Sequence, residues 1–357
     1  MAIRSLSRRV GMLSSTTPLN PPSKAAGPCA TIKFAISNEM GILDPKLLSR
    51  LIKDRARAAG FDKVGIVPAE PLIAEQQHLQ EWLRRGYHGE MSWMARDPQQ
   101  RIHPRRIFPE AHSVVVVALN YYLPDQHAEN PATGKVSRYA WGDDYHEVGG
   151  DKLRSLLVWI KEQWSEAEGK VCVDIQPMMD KAWAVRAGLG WLGKHTNLIT
   201  EEYGSWVFIG ELLLNLRLEC DEEVVEDRCG ACTLCLDACP PGAIVEPYVL
   251  DSNLCISHAT IESRAPDIRE ELREKMEGWL YGCDICQDVC PWNQMTPATN
   301  EQRFTPREGN VNASLSDILA LSPETYAARF RGSAMKRAKL AGLQRNAGTL
   351  MSFKEQR

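Results

Sequence analysis

Four cysteines fall within twelve residues, in the stretch CGACTLCLDACP that runs from Cys229 to Pro240. The spacing CxxCxxCxxxCP lets one tight loop point three thiolates at successive corners of a cube, while the following helix carries the fourth away. Where two such clusters share a chain, that fourth cysteine ligates the other cluster. A partner motif is therefore predicted, and CDICQDVCP supplies it with Cys283, Cys286 and Cys290; Cys255 upstream takes the place of its missing first cysteine. By the crossing rule, Cys229, Cys232, Cys235 and Cys290 hold one 4Fe-4S cluster, and Cys239, Cys255, Cys283 and Cys286 hold the second. Structural zinc is the alternative, since CxxC pairs also build tetrahedral sites, but zinc sites rarely use this run. Of eleven cysteines, eight lie between Cys229 and Cys290, which leaves Cys29, Cys172 and Cys220 as ordinary residues. A secreted disulfide framework is not packed this way, so the distribution points to metal in a reducing, cytoplasmic compartment.

The rest of the chain is too large to be only a support for electron carriers. Its 357 residues are 44% hydrophobic, ample for a core. A net charge of -4 and a pI near 6.1 give no global attraction to nucleic acid, so any such contact needs a local basic patch. No apolar run approaches the roughly 20 residues that cross a bilayer, and no membrane span is expected. Residues 1–39 read as a disordered extension: up to Asn38 there is no acid, and Arg, Ser and Pro are frequent. A transit peptide or a start codon placed too far upstream would read the same way. Helical periodicity begins in DPKLLSRLIKDRARAAG, where Leu47, Leu48, Leu51 and Ile52 share a face. From there an α/β domain is expected over 40–218. Its strands lie in SVVVVALNYY, KVCVDIQP and SWVFIGELLLN, and its helices over Lys152–Glu168 and Asp180–Ala187, the latter closing at Gly188. A double-cluster, ferredoxin-like module follows over 219–295, then a short helical basic tail over 296–357.

The richest polar stretch of the front domain is Val173 to Thr200. Asp174 follows a strand and Pro177 opens a helix, so the carboxylate is expected at the ligand-facing end of an open sheet. Gly188, Gly190 and Gly193 permit close backbone approach to a bulky ligand, with Lys194 and His195 ready to bind its polar groups; glycines at a helix end also serve as plain turns. They follow a helix and do not link a strand to a helix, so they are no dinucleotide fingerprint. In SRYAWGDDYHEV, Tyr145 and His146 form a second candidate, with a helix capped by Asp143 or Asp144 as the plainer reading. RDPQQRIHPRR reads as solvated loop, although Arg101 could bind an anionic group.

With these residues in view, the sequence resembles the epoxyqueuosine reductases. The resemblance covers about residues 42 to 348 and rests on WGDDYH, VDIQPMMDKAWAVRAGLGWLGKHTNLI, GSWVFIGELLL, CGACTLCLDACPPGAI, LCISHATIE, GWLYGCDICQDVCPWN and RFRGSAMKRAKLAGLQRNA. It implies a base-off cobalamin between the α/β domain and the cluster module, reduced through the two clusters and acting on the epoxide of the modified base at tRNA position 34. Loss of the epoxide oxygen as water needs two electrons and two protons, and the family's proton donor matches Asp174. That carboxyl would have to be neutral near neutral pH, which desolvation favours and a helix N-terminus opposes. Asp180 reads as a structural helix acid. The cobalamin contacts carried over are Arg101, Ser137, Asp174, Tyr145, His146, Gly188, Trp191, Lys194, His195, Asn197, Ser205 and Asp284. Arg329, Arg331, Lys336, Arg337, Lys339 and Arg345 are the cations expected to meet tRNA phosphates, a solvated helix face being the alternative. An external low-potential electron donor and a monomer are also expected. Rival readings are another corrinoid-dependent reductase of the reductive dehalogenase kind, against which the basic tail argues, and a non-enzymatic iron-sulfur electron carrier that binds no corrinoid.

Overall fold

The structure, a computed structural model, describes residues 44–222 and 225–354. The extension read over residues 1–39 lies outside the described residues. At the centre of the fold is a four-stranded sheet in the order Lys63–Pro68, Ser113–Asn120, Val207–Leu214, Gly169–Cys172, with every neighbouring pair antiparallel. Ser113–Asn120 is buried at every position, as its unbroken apolar run predicts. Side chains alternate across a strand. Val115, Val117 and Leu119 therefore enter one core with residues of the helices Pro45–Ala58 and Tyr145–Gln163, while Val114, Val116 and Ala118 enter another with residues of the helix Asp180–Arg186. Each such buried valine contributes roughly 1.5–3 kcal/mol. Strand and helix together make a mixed α/β fold, but the sheet has no parallel crossover. The chain's departure from the edge strand, not a switch point between parallel strands, is what places Asp174.

Helix boundaries shift for local reasons. The helix read from Lys152 starts at Tyr145, because the Asp144 carboxylate accepts from the His146 N–H and caps it. Pro177 opens no helix: the chain bends from Val173 to Pro177, and the next helix begins at Asp180. That helix closes at Gly188, whose φ of 69° suits glycine and whose N–H donates to the Val185 carbonyl at 3.0 Å. Gly190 and Gly193 admit the chain itself. A Cβ at Gly190 would lie 2.0 Å from the Ile199 carbonyl oxygen, within the hairpin of Trp191–Leu192 and Leu198–Ile199.

A second sheet takes Thr133–Val136 as its middle strand, with Trp279–Tyr281 parallel on one side and Asn312–Ser314 antiparallel on the other. One strand thus comes from each of the three stretches that read as domain, module and tail. Trp141, Leu280, Tyr281, Phe330, Met335 and Leu343 fill the core beneath it. Among the described residues no helix is long and apolar enough to cross a membrane.

Candidate active site

Asp174 lies two residues beyond the edge strand and adopts a left-handed backbone, φ 53°, which aspartate tolerates better than most residues. Its carboxylate meets the first turn of the helix Tyr145–Gln163. The Tyr145 hydroxyl donates to Asp174 Oδ2, and His146 Nε2 stands 3.5 Å from the same oxygen. His146 Nδ1 is 2.6 Å from Asp144 Oδ1, so one imidazole bridges two carboxylates. The Tyr145 ring stacks against His146 at 4.0 Å and Phe208 at 4.5 Å between centroids, which fixes the group. Burial disfavours a charged imidazole, but the hydrogen bonds to Asp144 and Asp174 outweigh it and raise the His146 pKa to about 9. Burial likewise pushes Asp174 up, and His146 with Tyr145 pulls it below its ordinary value. In the protein alone these neighbours favour a charged His146 beside an ionised Asp174, and they are the influence that opposes a neutral Asp174.

Asp174 and Lys181 are both exposed and lie close enough to interact, so they share one open face. Lys181 Nζ donates to the Thr196 carbonyl at 2.9 Å and Asn197 Oδ1 at 3.0 Å. Arg101 is not on a solvated loop: Asp97 caps the helix Pro98–Ile102, and the guanidinium is buried, donating to the Trp93 carbonyl at 3.3 Å and lying 5.3 Å from that ring's centre. Burial lowers its pKa while Asp180 and Asp174 support its charge, and its Nε has no partner. His195 is buried and neutral, its pKa lowered to about 4 by burial and then by Lys181. Its Nδ1 accepts from the Asn197 N–H at 3.2 Å, and its Nε2 has no partner. Ile175, beside Asp174, is 74% exposed. Asp180 and Glu211 face each other nearby: burial and then the Asp174 charge raise Asp180 to about 7, and burial with Asp180 raises Glu211 well above the usual range. Lys181 and Glu211 escaped sequence reasoning. The signal for Glu211 was a single carboxylate inside the otherwise apolar strand VFIGELLL.

Every described cysteine is free of a disulfide. Burial pushes the Cys290 thiol up to about 11, and the thiols that add to the shift are Cys229, Cys235 and Cys232. Cys286 and Cys283, both raised first by burial, neighbour Cys255, and Cys286 also neighbours Cys239. Cys290 thus neighbours the three other thiols of the first four, while Cys286 neighbours Cys255 and Cys239 of the second and Cys235 of the first. Lys181 interacts electrostatically with Asp174 and with Cys286 and Cys255, which places those two cysteines in its neighbourhood.

Several expected ligand contacts have their polar atoms committed to protein. Ser137 Oγ and the Arg138 N–H both donate to the buried Asp284 carboxyl, the latter at 2.7 Å, tying the second cysteine loop to the front of the molecule. Ser205 Oγ accepts from Gln287 Nε2 at 3.0 Å and Asn293 Nδ2 at 2.9 Å, a second tie to the same loop. Lys194 Nζ donates to the carbonyls of Gly230 at 2.6 Å and Cys232 at 2.9 Å, and Trp191 packs against Cys290, Cys229 and Trp292. In the tail, Arg345 donates to the carbonyls of Ala259, Ser263 and Ala265, and Arg337 forms a bidentate pair with Glu262. Arg329 lies 5.2 Å from the Phe330 ring centre and donates to the Gly309 carbonyl at 3.4 Å. Arg331, Lys336 and Lys339 are exposed, with no side-chain partner among the described residues.

Fold and site together define an oxidoreductase in which paired cysteine motifs adjoin an acid-bearing open face. Residues 228–293 match the model of the 4Fe-4S double cluster binding domain, and residues 101–175 match the model described as Epoxyqueuosine reductase QueG, DUF1730. The chain belongs to the epoxyqueuosine reductase family. It is 46% identical over 287 residues to the epoxyqueuosine reductase of Synechocystis, covering 80% of this chain and 98% of the relative, and 44% identical over 302 residues to that of Atelocyanobacterium thalassa, covering 83% and 96%. Among solved structures, an epoxyqueuosine reductase bound to an epoxyqueuosine-modified tRNA-Tyr stem loop superposes with a TM-score of 0.81 at 31% identity, over 87% of this chain and 82% of that one. The enzyme from Streptococcus thermophilus gives 0.77 at 30%, over 85% and 80%.

Proposed function

We propose that this chain reduces epoxyqueuosine to queuosine at the wobble position of tRNA, with base-off cobalamin on the Asp174 face and two 4Fe-4S clusters on the eight cysteines. The single observation that carries the reading is the Asp144–His146–Asp174 arrangement on this open face: a charged imidazole between two carboxylates is a proton store beside a group that can deliver. The residues around this face fit a large ligand rimmed with hydrogen-bonding groups, because Arg101 Nε and His195 Nε2 are buried and lack protein partners. Arg101, Tyr145, His146, His195 and Asn197 would hold that ligand, joined by Lys181. When bound, cobalamin supplies a strongly reducing cobalt centre that the iron-sulfur clusters recharge one electron at a time.

The chain's own part is proton handling and positioning. The epoxide becomes an alkene and its oxygen leaves as water, which consumes two electrons from an external low-potential donor and two protons. His146, the protonated partner, delivers a proton to Asp174, which relays it to the departing oxygen, and His146 is then reprotonated for the second. Exposed Arg331, Lys336 and Lys339 offer a surface for tRNA phosphates. The relative solved with a modified stem loop supports this partner. Anaerobic protein with both cofactors should convert an epoxyqueuosine anticodon stem loop to the queuosine form, read by mass spectrometry as the loss of one oxygen. Asp174→Asn should lower turnover by about 100-fold or more while iron and cobalt contents stay unchanged. Full turnover in that variant would remove Asp174 from the proton path.

A further inference from the structure

Trp191 and Lys194 leave the Asp174 face and turn to the first cysteine loop. Trp191 is 2% exposed, and its ring N–H has no hydrogen-bond partner among the described residues, sulfur included. The ring shares one packed cluster with Cys290 and Cys229, which belong to different motifs but to the same crossed four. It meets Trp292 edge to face at 4.8 Å between centroids. A buried indole N–H left without a partner in the same cluster as two cysteines is a donor that a cluster sulfur can satisfy. The Lys194 ammonium is pinned on two carbonyls of the same loop, at Gly230 and Cys232. Around it, the Cys229 N–H donates to Asp227 Oδ1 at 2.7 Å, the Tyr248 hydroxyl donates to Asp227, and the Tyr248 N–H donates to the Lys194 carbonyl at 3.0 Å. The loop is thus fastened to the hairpin by Lys194, and Trp191 adds a buried N–H that phenylalanine would lack.

We propose that Trp191 and Lys194 are positioning residues for the cluster on Cys229, Cys232, Cys235 and Cys290, and that they raise its reduction potential. A reduced cluster carries one more negative charge than an oxidised one, and hydrogen bonds to sulfur together with nearby positive charge favour the reduced state. The inference rests on the cluster assignment within the proposed function and on neither tRNA nor cobalamin.

The test is a redox titration of anaerobically reconstituted full-length protein followed by electron paramagnetic resonance, with Cys232→Ser identifying the signal of the first cluster. Trp191→Phe and Lys194→Met should each move that signal to lower potential and leave the other in place, while Lys194→Arg should restore it. Titration curves that match the unsubstituted protein in both signals would overturn the proposal, as would a shift confined to the second cluster. If Trp191→Phe fails to retain iron, the Lys194→Met and Lys194→Arg pair decides, an unshifted Lys194→Met counting against. Because the readout uses only iron and sulfide, its failure is distinguishable from failure of the stem-loop assay.

Discussion

His146 joins the proton chemistry to measurable behaviour. Its folded pKa of about 9 lies above the ordinary value of 6.5, so the stabilisation from its two carboxylate partners is complete below about pH 6.5 and is lost as pH rises through about 9. Asp174 is depressed, so its share is present above its ordinary range and disappears only as pH falls through the lowered value. Turnover should therefore decline on the alkaline side near pH 9, and His146→Gln should lower the plateau and remove that limb from the pH–rate profile. An unchanged profile in the variant would show that the imidazole carries no proton for the reaction. At this scale the sequence was legible where spacing speaks: the crossed cysteines and Asp174 stand out by position. It was silent on the partners of Trp191 and Lys194, since their motif reads equally well as facing a ligand or facing a loop.

Helices and strands show why composition misleads. Six cations in the tail read as one basic surface, but Arg345 is spent inside, its donors serving the carbonyls of Ala259, Ser263 and Ala265 at and beyond the end of the helix Ile256–Ile261. Arg345→Met should lower unfolding free energy by about 2–4 kcal/mol, because several carbonyls lose a charged donor. Lys336→Ala combined with Lys339→Ala should leave the melting temperature nearly unchanged, weaken stem-loop binding and flatten its salt dependence. Denaturation and binding titrations on the same proteins separate the two effects. Local patterning located the strands because an all-buried run such as Ser113–Asn120 needs cover on both faces. Apolar spacing marked the following helix only from Lys152; its start at Tyr145 was legible in the capping reading of Asp143 or Asp144, which the Asp144 cap bears out.

Across the whole molecule, the front region and the cysteine loops are held by buried ties from Asp284 to Ser137 and Arg138 and from Ser205 to Gln287 and Asn293, and by more exposed ones from Lys194 to Gly230 and Cys232. These ties, with the shared sheet of Thr133–Val136, Trp279–Tyr281 and Asn312–Ser314, join the front region to both cysteine loops. The mixed α/β character and the double-cluster motifs were readable along the chain. The antiparallel order and the shared second sheet were not, because pairing between strands far apart in sequence leaves no trace in local periodicity. The account's central claim is that two clusters and a corrin occupy one continuous path to Asp174. The most direct measurement is the joint iron, sulfide and cobalt content of anaerobically reconstituted protein, checked by its visible spectrum. About eight iron, eight sulfide and one cobalt per chain are predicted. Zinc in place of iron, or failure to take up any cobalamin, would contradict it.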